Sequence, residues 1–277
     1  MRDHRPKDTK CPSAVVVTGG SSGIGKSFIE HVTKMCPTAR LCNLSRRAPV
    51  INFPPQDFLH VPCDLADEVS LAAAAEKVLT WLRTEVPAGE VVVINNSGWG
   101  GYGRFSEIEA AHQLGMIDLN VRALVDLTAR LMPVLRERGG VVVNVASTAA
   151  FQPTAYLATY GATKAFVLHW SLALNEELRG TGVRALAVCP GPTATQFFQR
   201  AGMQEGTVSN ALGQTSEEVV VEAWRAVERG RALVVTGWKN KVLAAVSSKL
   251  PKVLGARIGA KVLEQFRLKQ STSSAKL

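Results

Sequence analysis

The sequence contains no apolar run near the roughly 18 residues that a membrane-crossing helix requires, so none is expected. Aromatic residues make up only 6% of the 277 positions. Cysteine is sparse and poorly spaced for a joint role. Cys11, Cys36, Cys42, Cys63 and Cys189 are an odd set without a C-x-x-C pair. That pattern speaks against a zinc site or a disulfide framework and leaves buried free thiols in a reducing compartment as the expectation. The first ten residues, MRDHRPKDTK, lack the apolar core of a secretory signal, so a soluble cytoplasmic protein is expected. A surplus of one charge is also missing from most of the chain. The net charge is +9, but residues 1–10 contribute +2 and residues 237–277 contribute +8, leaving the 226 between them at −1. Nucleic-acid enzymes carry basic charge along a binding face, so nucleic acid is not an expected partner.

What is present is an ordinary apolar fraction, 46%, with 20% charged residues. Runs rich in Val, Ile and Leu at 14–17, 39–45, 57–63, 90–95, 140–146, 183–189 and 231–236 fit strands buried on both faces. Between them lie longer helical patterns and almost no hairpin dipeptides, as parallel strands joined by helical crossovers require. The expected fold is α/β: one Rossmann-type doubly wound parallel sheet of about seven strands, over residues 11–236, with helices on both faces. Residues 1–10 read as a polar tail and 237–277 as a basic extension. Helices are expected over 70–82, over the amphipathic stretch 108–138, and from the capping-box sequence at Thr215 and Glu218 to about Arg229. Residues 190–214 lack periodicity and follow the sixth strand, where a mobile lid and a loop without function both fit.

The first strand runs into Thr18-Gly19-Gly20-Ser21-Ser22-Gly23-Ile24-Gly25 and then a helical pattern to about Lys34. Glycines let the backbone turn tightly and approach a bulky anion, while a helix N-terminus offers unpaired N–H groups. A dinucleotide is the expected ligand, and a nucleoside triphosphate is not. A site for NAD places a carboxylate at the end of the second strand. Here Leu44-Ser45-Arg46-Arg47 has no acid, and a guanidinium suits a 2′-phosphate. Ser45 and Arg46, with Arg47 as the second candidate, are therefore assigned to NADP(H), against the alternative of a solvated arginine pair.

Four further segments each follow a strand: Asn95-Asn96-Ser97-Gly98, Ser147, Tyr160 to Lys164, and Pro190-Gly191-Pro192-Thr193. Tyr160 and Lys164, at i and i+4, share one helix face. A neighbouring ammonium favours phenolate and would bring a phenol that titrates near pKa ~10 towards neutrality. In order and spacing these motifs resemble the short-chain dehydrogenase/reductase superfamily in its Tyr-dependent form, over residues 14–236. The resemblance implies an NADP(H)-dependent oxidoreductase that moves a hydride between the cofactor and a carbonyl/alcohol pair. It implies that Tyr160 is the general acid or base, that Lys164 holds the nicotinamide ribose and lowers the Tyr160 pKa, and that Ser147 polarises the carbonyl. On the same basis Asn120 would anchor a water in the proton relay, and Asp64 with Leu65 would meet the adenine. Asn95 and Gly98 would line the cofactor channel, and Thr193, beyond Pro190 and Gly191, would bond the carboxamide. Ser97 stands where the family usually has alanine, a change small enough to keep the close backbone approach. The alternative, a nucleotide-binding regulatory protein with vestigial chemistry, has no need of an intact Ser147, Tyr160 and Lys164.

Trp99, Tyr102 and Phe105, the largely apolar segment 148–156, and Phe197, Phe198 and Met203 fit an apolar pocket for a hydrophobic ketone or aldehyde, and core packing accounts for some of these aromatics equally well. The family commonly forms homodimers or homotetramers through its long helices. In the extension, Leu254, Ile258, Val262 and Phe266 recur every four residues among Lys252, Arg257, Lys261 and Lys269. Such a basic amphipathic helix packs within a dimer or domain, caps the substrate pocket, or makes a weak contact with a membrane surface. The final Ala275-Lys276-Leu277 resembles a peroxisomal address, which makes the peroxisomal matrix the alternative location.

Overall fold

β-Branched side chains crowd a helix but fit a pleated surface, and each of the seven runs forms a strand. They are Ala14–Thr18 (β1), Arg40–Ser45 (β2), Phe58–Pro62 (β3), Val91–Asn95 (β4), Gly140–Val145 (β5), Val183–Cys189 (β6) and Leu233–Val235 (β7). The computed structural model describes residues 11–51, 58–193, 195, 201 and 213–264. The strands form one sheet in the order β3-β2-β1-β4-β5-β6-β7, with every pairing parallel. The crossovers are Gly23–Met35 (α1), Glu68–Thr84 (α2), Ala110–Ile117 (α3), Ala123–Arg138 (α4), Ala158–Glu177 (α5) and Ser216–Glu228 (α6).

Strand alternation divides the core. Val15, Val17, Val92 and Ile94 face α1 and α6, where Phe28, Ile29, Val220 and Trp224 are buried. Ala14, Val16, Val91 and Val93 face α2 and α4. The chain winds outward in opposite directions from β1 and β4, so a crevice for ligands opens beyond their carboxyl ends. The capping box of α6 is complete. Glu218 N–H donates to Thr215 Oγ1 at 3.2 Å and Thr215 N–H to Glu218 Oε2 at 3.0 Å.

The structure departs from the sequence reading in two places. The stretch 108–138 is not one regular helix: between α3 and α4 it widens into a π turn over Asp118–Arg122. Cys11 and Cys36 are not free thiols but a disulfide, with Cα atoms 5.4 Å apart. The α1 crossover brings its C-cap, Cys36, back beside the residues that open β1, a proximity that a separation of 25 residues does not announce. Cys42, Cys63 and Cys189 are free and buried, as expected. Residues 237–264, set apart on charge, are built into the body as Trp238–Lys249 (α7) and Lys252–Glu264 (α8). Asn240, Ala244 and Ser247 of α7 are buried, and Lys241 Nζ donates to Glu222 Oε2 at 2.8 Å. Phe197, Phe198, Met203, Phe266, Lys269 and the C-terminal tripeptide lie outside the described residues, as does most of 190–214. Among the described residues, no helix is long and apolar enough to cross a membrane.

Candidate active site

The glycine turn at the end of β1 is closed by side chains from its neighbours. Gly20 N–H donates to Asn43 Oδ1 at 2.7 Å. Thr18 Oγ1 accepts from the N–H groups of Asn96 and Ser97 at 2.9 and 3.0 Å, and Asn96 Nδ2 donates to the Thr18 carbonyl at 2.9 Å. Thr18 therefore ties the turn to the loop after β4. Gly19 and Gly23 take φ of +71° and +55°, and a Cβ on Gly25 would run into the Gly19 carbonyl. All three positions demand glycine for a backbone reason. The following helix starts at Ser22, whose side chain makes no capping bond, and its first turn holds no acid. Its N-terminal N–H groups and positive dipole are thus left for a phosphate, rimmed by half-buried Ser21, Ser22 and Ile24.

Gly20 to Ser27 also spells G-x-x-x-x-G-K-S, the spacing of a triphosphate-binding loop. The spacing does not exclude that ligand, but the geometry does. Lys26 Nζ turns outward to Glu30 Oε1 at 3.5 Å, and buried Ser27 donates to Glu217 Oε1 at 3.5 Å. Neither faces the turn where a phosphate chain would lie.

At the end of β2, Ser45 is buried and its hydroxyl is committed. It donates to the Arg47 carbonyl at 2.7 Å and accepts from Asn43 Nδ2 at 2.8 Å. The expectation that it meets a 2′-phosphate is corrected to a role in shaping the turn that presents Arg46. The Arg46 guanidinium is well exposed, 3.8 Å from Asp64 beyond β3. Leu65 sinks its side chain into the core against α2, so that side chain is not available to a base.

Asn95 is also corrected. By strand alternation it points away from the crevice towards α4, donating to Thr128 Oγ1 at 3.0 Å and Asn144 Oδ1 at 2.8 Å. The residue at the turn is Asn96, which the sequence reading missed although the period of the strand singles it out. Gly98 lies where a Cβ would stand 3.0 Å from Asn120 Oδ1 and 3.3 Å from Lys164 Nζ. Asn120, in the π turn, is buried. Its amide donates to the Trp99 carbonyl and to Thr163 Oγ1, both at 3.0 Å, and accepts from Trp99 N–H at 3.1 Å. Thr163 in turn donates to the Tyr160 carbonyl at 2.7 Å. Asn120 is thus a clamp between the loop after β4 and α5, with both amide protons committed.

Ser147, Tyr160 and Lys164 meet at the carboxyl end of β5. Ser147 caps the short turn Thr148–Phe151 by accepting from Ala149 N–H at 3.1 Å, and it hydrogen-bonds Tyr160. Lys164 Nζ donates to the Val145 carbonyl at 2.8 Å and lies 5.8 Å from the Tyr160 ring centre. Burial pushes the Tyr160 phenol up to about 12, against the opposing Ser147 hydrogen bond. Burial also pulls Lys164 down to about 8. In the protein alone the phenol is therefore raised and not lowered: loss of water around it sets the direction, while the Lys164 ammonium is aimed at a carbonyl. Beside them the Pro190 carbonyl accepts from Thr148 N–H at 2.8 Å, and Thr193 Oγ1 donates to the Gly191 carbonyl at 3.0 Å. Gly191 has no room for a Cβ, because the Asn240 amide of α7 packs against it.

The loop after β4 forms one wall of the approach. Trp99 packs edge-on against His112, with ring centres 4.1 Å apart. Tyr102 stands beside Tyr156 at 6.2 Å. A cavity of about 300 Å³ is lined by Gly101, Tyr102, Ile108, His112 and Ala201. A larger one of about 560 Å³, lined by Glu217, Glu222, Trp238 and Asn240, contains none of the Ser147, Tyr160 and Lys164 group. Among the described residues, no His, Cys, Asp and Glu cluster could hold a metal.

An uncapped glycine turn at the switch point, with Ser147 beside buried Tyr160 and Lys164, defines a dinucleotide-binding oxidoreductase of the doubly wound class. The particular family follows: the chain matches the short chain dehydrogenase family over residues 13–206 and belongs to it. It is similar to the ketoacyl reductase HetN of Nostoc sp., with 30% identity over 246 residues, 86% of this chain and 79% of that protein. It is 32% identical over 227 residues to the NADP-dependent 3-hydroxy acid dehydrogenase YdfG of Escherichia coli, covering 76% and 87% of the two chains. The solved structure of a short-chain dehydrogenase from Sphingobium yanoikuyae in complex with NADPH superposes with a TM-score of 0.69 at 26% identity. The match covers 86% of this chain and 96% of that one.

Proposed function

We propose that the protein reduces a hydrophobic ketone or aldehyde with NADPH, Tyr160 giving the proton, and runs the reverse oxidation when product is in excess. The observation that carries this reading is the meeting of Ser147, Tyr160 and Lys164 at the carboxyl end of β5, with the lysine nitrogen 5.8 Å from the tyrosine ring and Ser147 bearing on the phenol. A phenol with a pKa near 12 keeps its proton at neutral pH, which suits an acid that protonates the developing alkoxide. Ser147 would hold the carbonyl oxygen against Tyr160, and Lys164, cationic below about pH 8, would meet the ribose hydroxyls. The cofactor, when bound, supplies the hydride. Its pyrophosphate would meet the N-terminus of α1, and Gly98, where a Cβ would crowd Asn120 and Lys164, would line the channel beside them. Thr193 would meet the carboxamide and Asp64 the adenine.

NADP(H) is favoured by exposed Arg46 at the end of β2, with Arg47 beside it, and by the cofactor named for YdfG and for the Sphingobium yanoikuyae structure. The ketoacyl and 3-hydroxy acid compounds named for the relatives are carbonyl/alcohol pairs of the same kind. We infer a homodimer or homotetramer meeting through α4 and α5, where Phe166 stacks on Trp170 and stays exposed. Light scattering tests the assembly. The activity is tested by Tyr160→Phe, which should abolish NADPH oxidation across a panel of ketones and aldehydes while leaving NADPH binding nearly unchanged. Unaltered turnover would remove Tyr160 from the mechanism.

A further inference from the structure

The two C-terminal helices are amphipathic with the usual sense reversed. Against the body α7 buries Asn240, Ala244 and Ser247, and α8 buries Gly255 with Ala256 and Gly259 half-buried. Their large apolar side chains point the other way. Trp238, Val242 and Val246 recur at every fourth position of α7, as do Leu254, Ile258 and Val262 on α8, and all six are 45–71% exposed. Surface helices of monomeric proteins turn such stripes inward, so two of them outward mark an interface.

The inward contacts fix which side faces out. Tyr102 Oη donates to the Leu263 carbonyl at 2.6 Å, and Lys252 Nζ donates to the Phe151 carbonyl at 3.2 Å. These bonds hold α8 across the segments that follow β4 and β5, so its outer face lies at the Ser147–Tyr160 end of the sheet.

Charge decides what meets that face. Lys239, Lys249, Arg257 and Lys261 stand among the apolar residues, while Lys241 is paired with Glu222 and Lys252 is turned to the Phe151 carbonyl, and Glu264 is the one acid in the described residues of the two helices. A two-fold pairing of copies would set this cationic surface against itself. The surface of α4 and α5 differs, carrying Asp126, Glu137, Glu176 and Glu177 as well as Arg122 and Arg130, which suits a second copy. The stripes are exposed helix ridges, which a bilayer accepts by insertion of about 5–10 Å without a matching groove.

We propose that α7 and α8 dock the protein on an anionic lipid surface, the two apolar stripes entering the acyl boundary and the cations meeting lipid phosphates. The inference does not depend on the reaction proposed above, because its readout is binding. The full chain is sedimented with vesicles of phosphatidylcholine alone or with added phosphatidylserine at low salt. The expected result is binding to the phosphatidylserine vesicles only, and release at about 1 M salt, where the Debye length falls to about 3 Å. Replacing Lys249→Gln and Lys261→Gln together should weaken binding about 25-fold, from about 1 kcal/mol per cation. Trp238→Ser with Ile258→Ser should weaken it comparably, and both variants should bind NADPH as before. Failure of the phosphatidylserine vesicles to bind overturns the proposal, and is the result expected if an acidic protein is the true occupant. Variants that bind like the parent overturn it too, as does a dimer that shields Trp238 from solvent.

Discussion

Tyr160 and Lys164 sit on one helix face with the lysine nitrogen 5.8 Å from the tyrosine ring, yet each is governed more by burial than by the other. This has a measurable consequence for stability. Lys164 titrates near 8 in the folded protein, below its ordinary value of 10.5. Between those values the unfolded chain holds a proton that the folded one lacks, so stability rises with pH through that window. The full effect is about 3 kcal/mol. Tyr160, raised to about 12, works in the opposite direction only above its ordinary value of 10. Urea midpoints from pH 7 to pH 9 should therefore climb for the parent protein, before the buried thiols of Cys42, Cys63 and Cys189, all raised from 9.0, reverse the trend, and Lys164→Met should flatten that climb. A slope unchanged in the variant would mean the lysine is solvated. At the other end of the crevice, Arg46→Ala should raise the KM for NADPH by about tenfold or more, as loss of a charged hydrogen bond implies, and leave NADH almost unaffected. Competing the two cofactors in steady-state assays measures it; a variant that still favours NADPH would pass the role to Arg47.

At the scale of elements, local patterns were read correctly wherever local rules govern. The box at Thr215 and Glu218 forms both its bonds, and Thr215→Ala should cost about 1 kcal/mol, seen as a lower denaturant midpoint with unchanged m-value. The same pattern reading treated Asn95 and Asn96 alike, although successive strand residues face opposite sides. Asn95 follows Val91 and Val93 towards α4, which leaves Asn96 to hold the glycine turn. The π turn was not legible in the periodicity of 108–138. One extra residue per turn is a small phase change, and its cause, the three hydrogen bonds of Asn120 to Trp99 and Thr163, lies in other elements. Ser45 failed for the same reason: Asn43, two residues earlier on β2, faces the same side by that period and engages its hydroxyl.

For the whole molecule, the Cys11–Cys36 disulfide ties the entry of β1 to the end of α1. Closing a loop of 25 residues constrains the unfolded chain by about 3 kcal/mol. Cys11→Ser should lose stability of that order in oxidising buffer, and a thiol reductant should bring the parent down to the same denaturation curve. Coincident curves without reductant would show that the bridge contributes nothing. Strand number, parallel pairing, the glycine turn and the order of Ser147, Tyr160 and Lys164 were all determined by the sequence, because each depends on residue type and spacing within one short segment. Which hydroxyl faces the crevice, which asparagine braces it, whether burial or a cation rules the tyrosine, and which side of the last two helices meets the body were decided only by the tertiary structure. Those outcomes depend on desolvation and on partners far away in the chain, and neither exists until the sheet and its layers have closed around them.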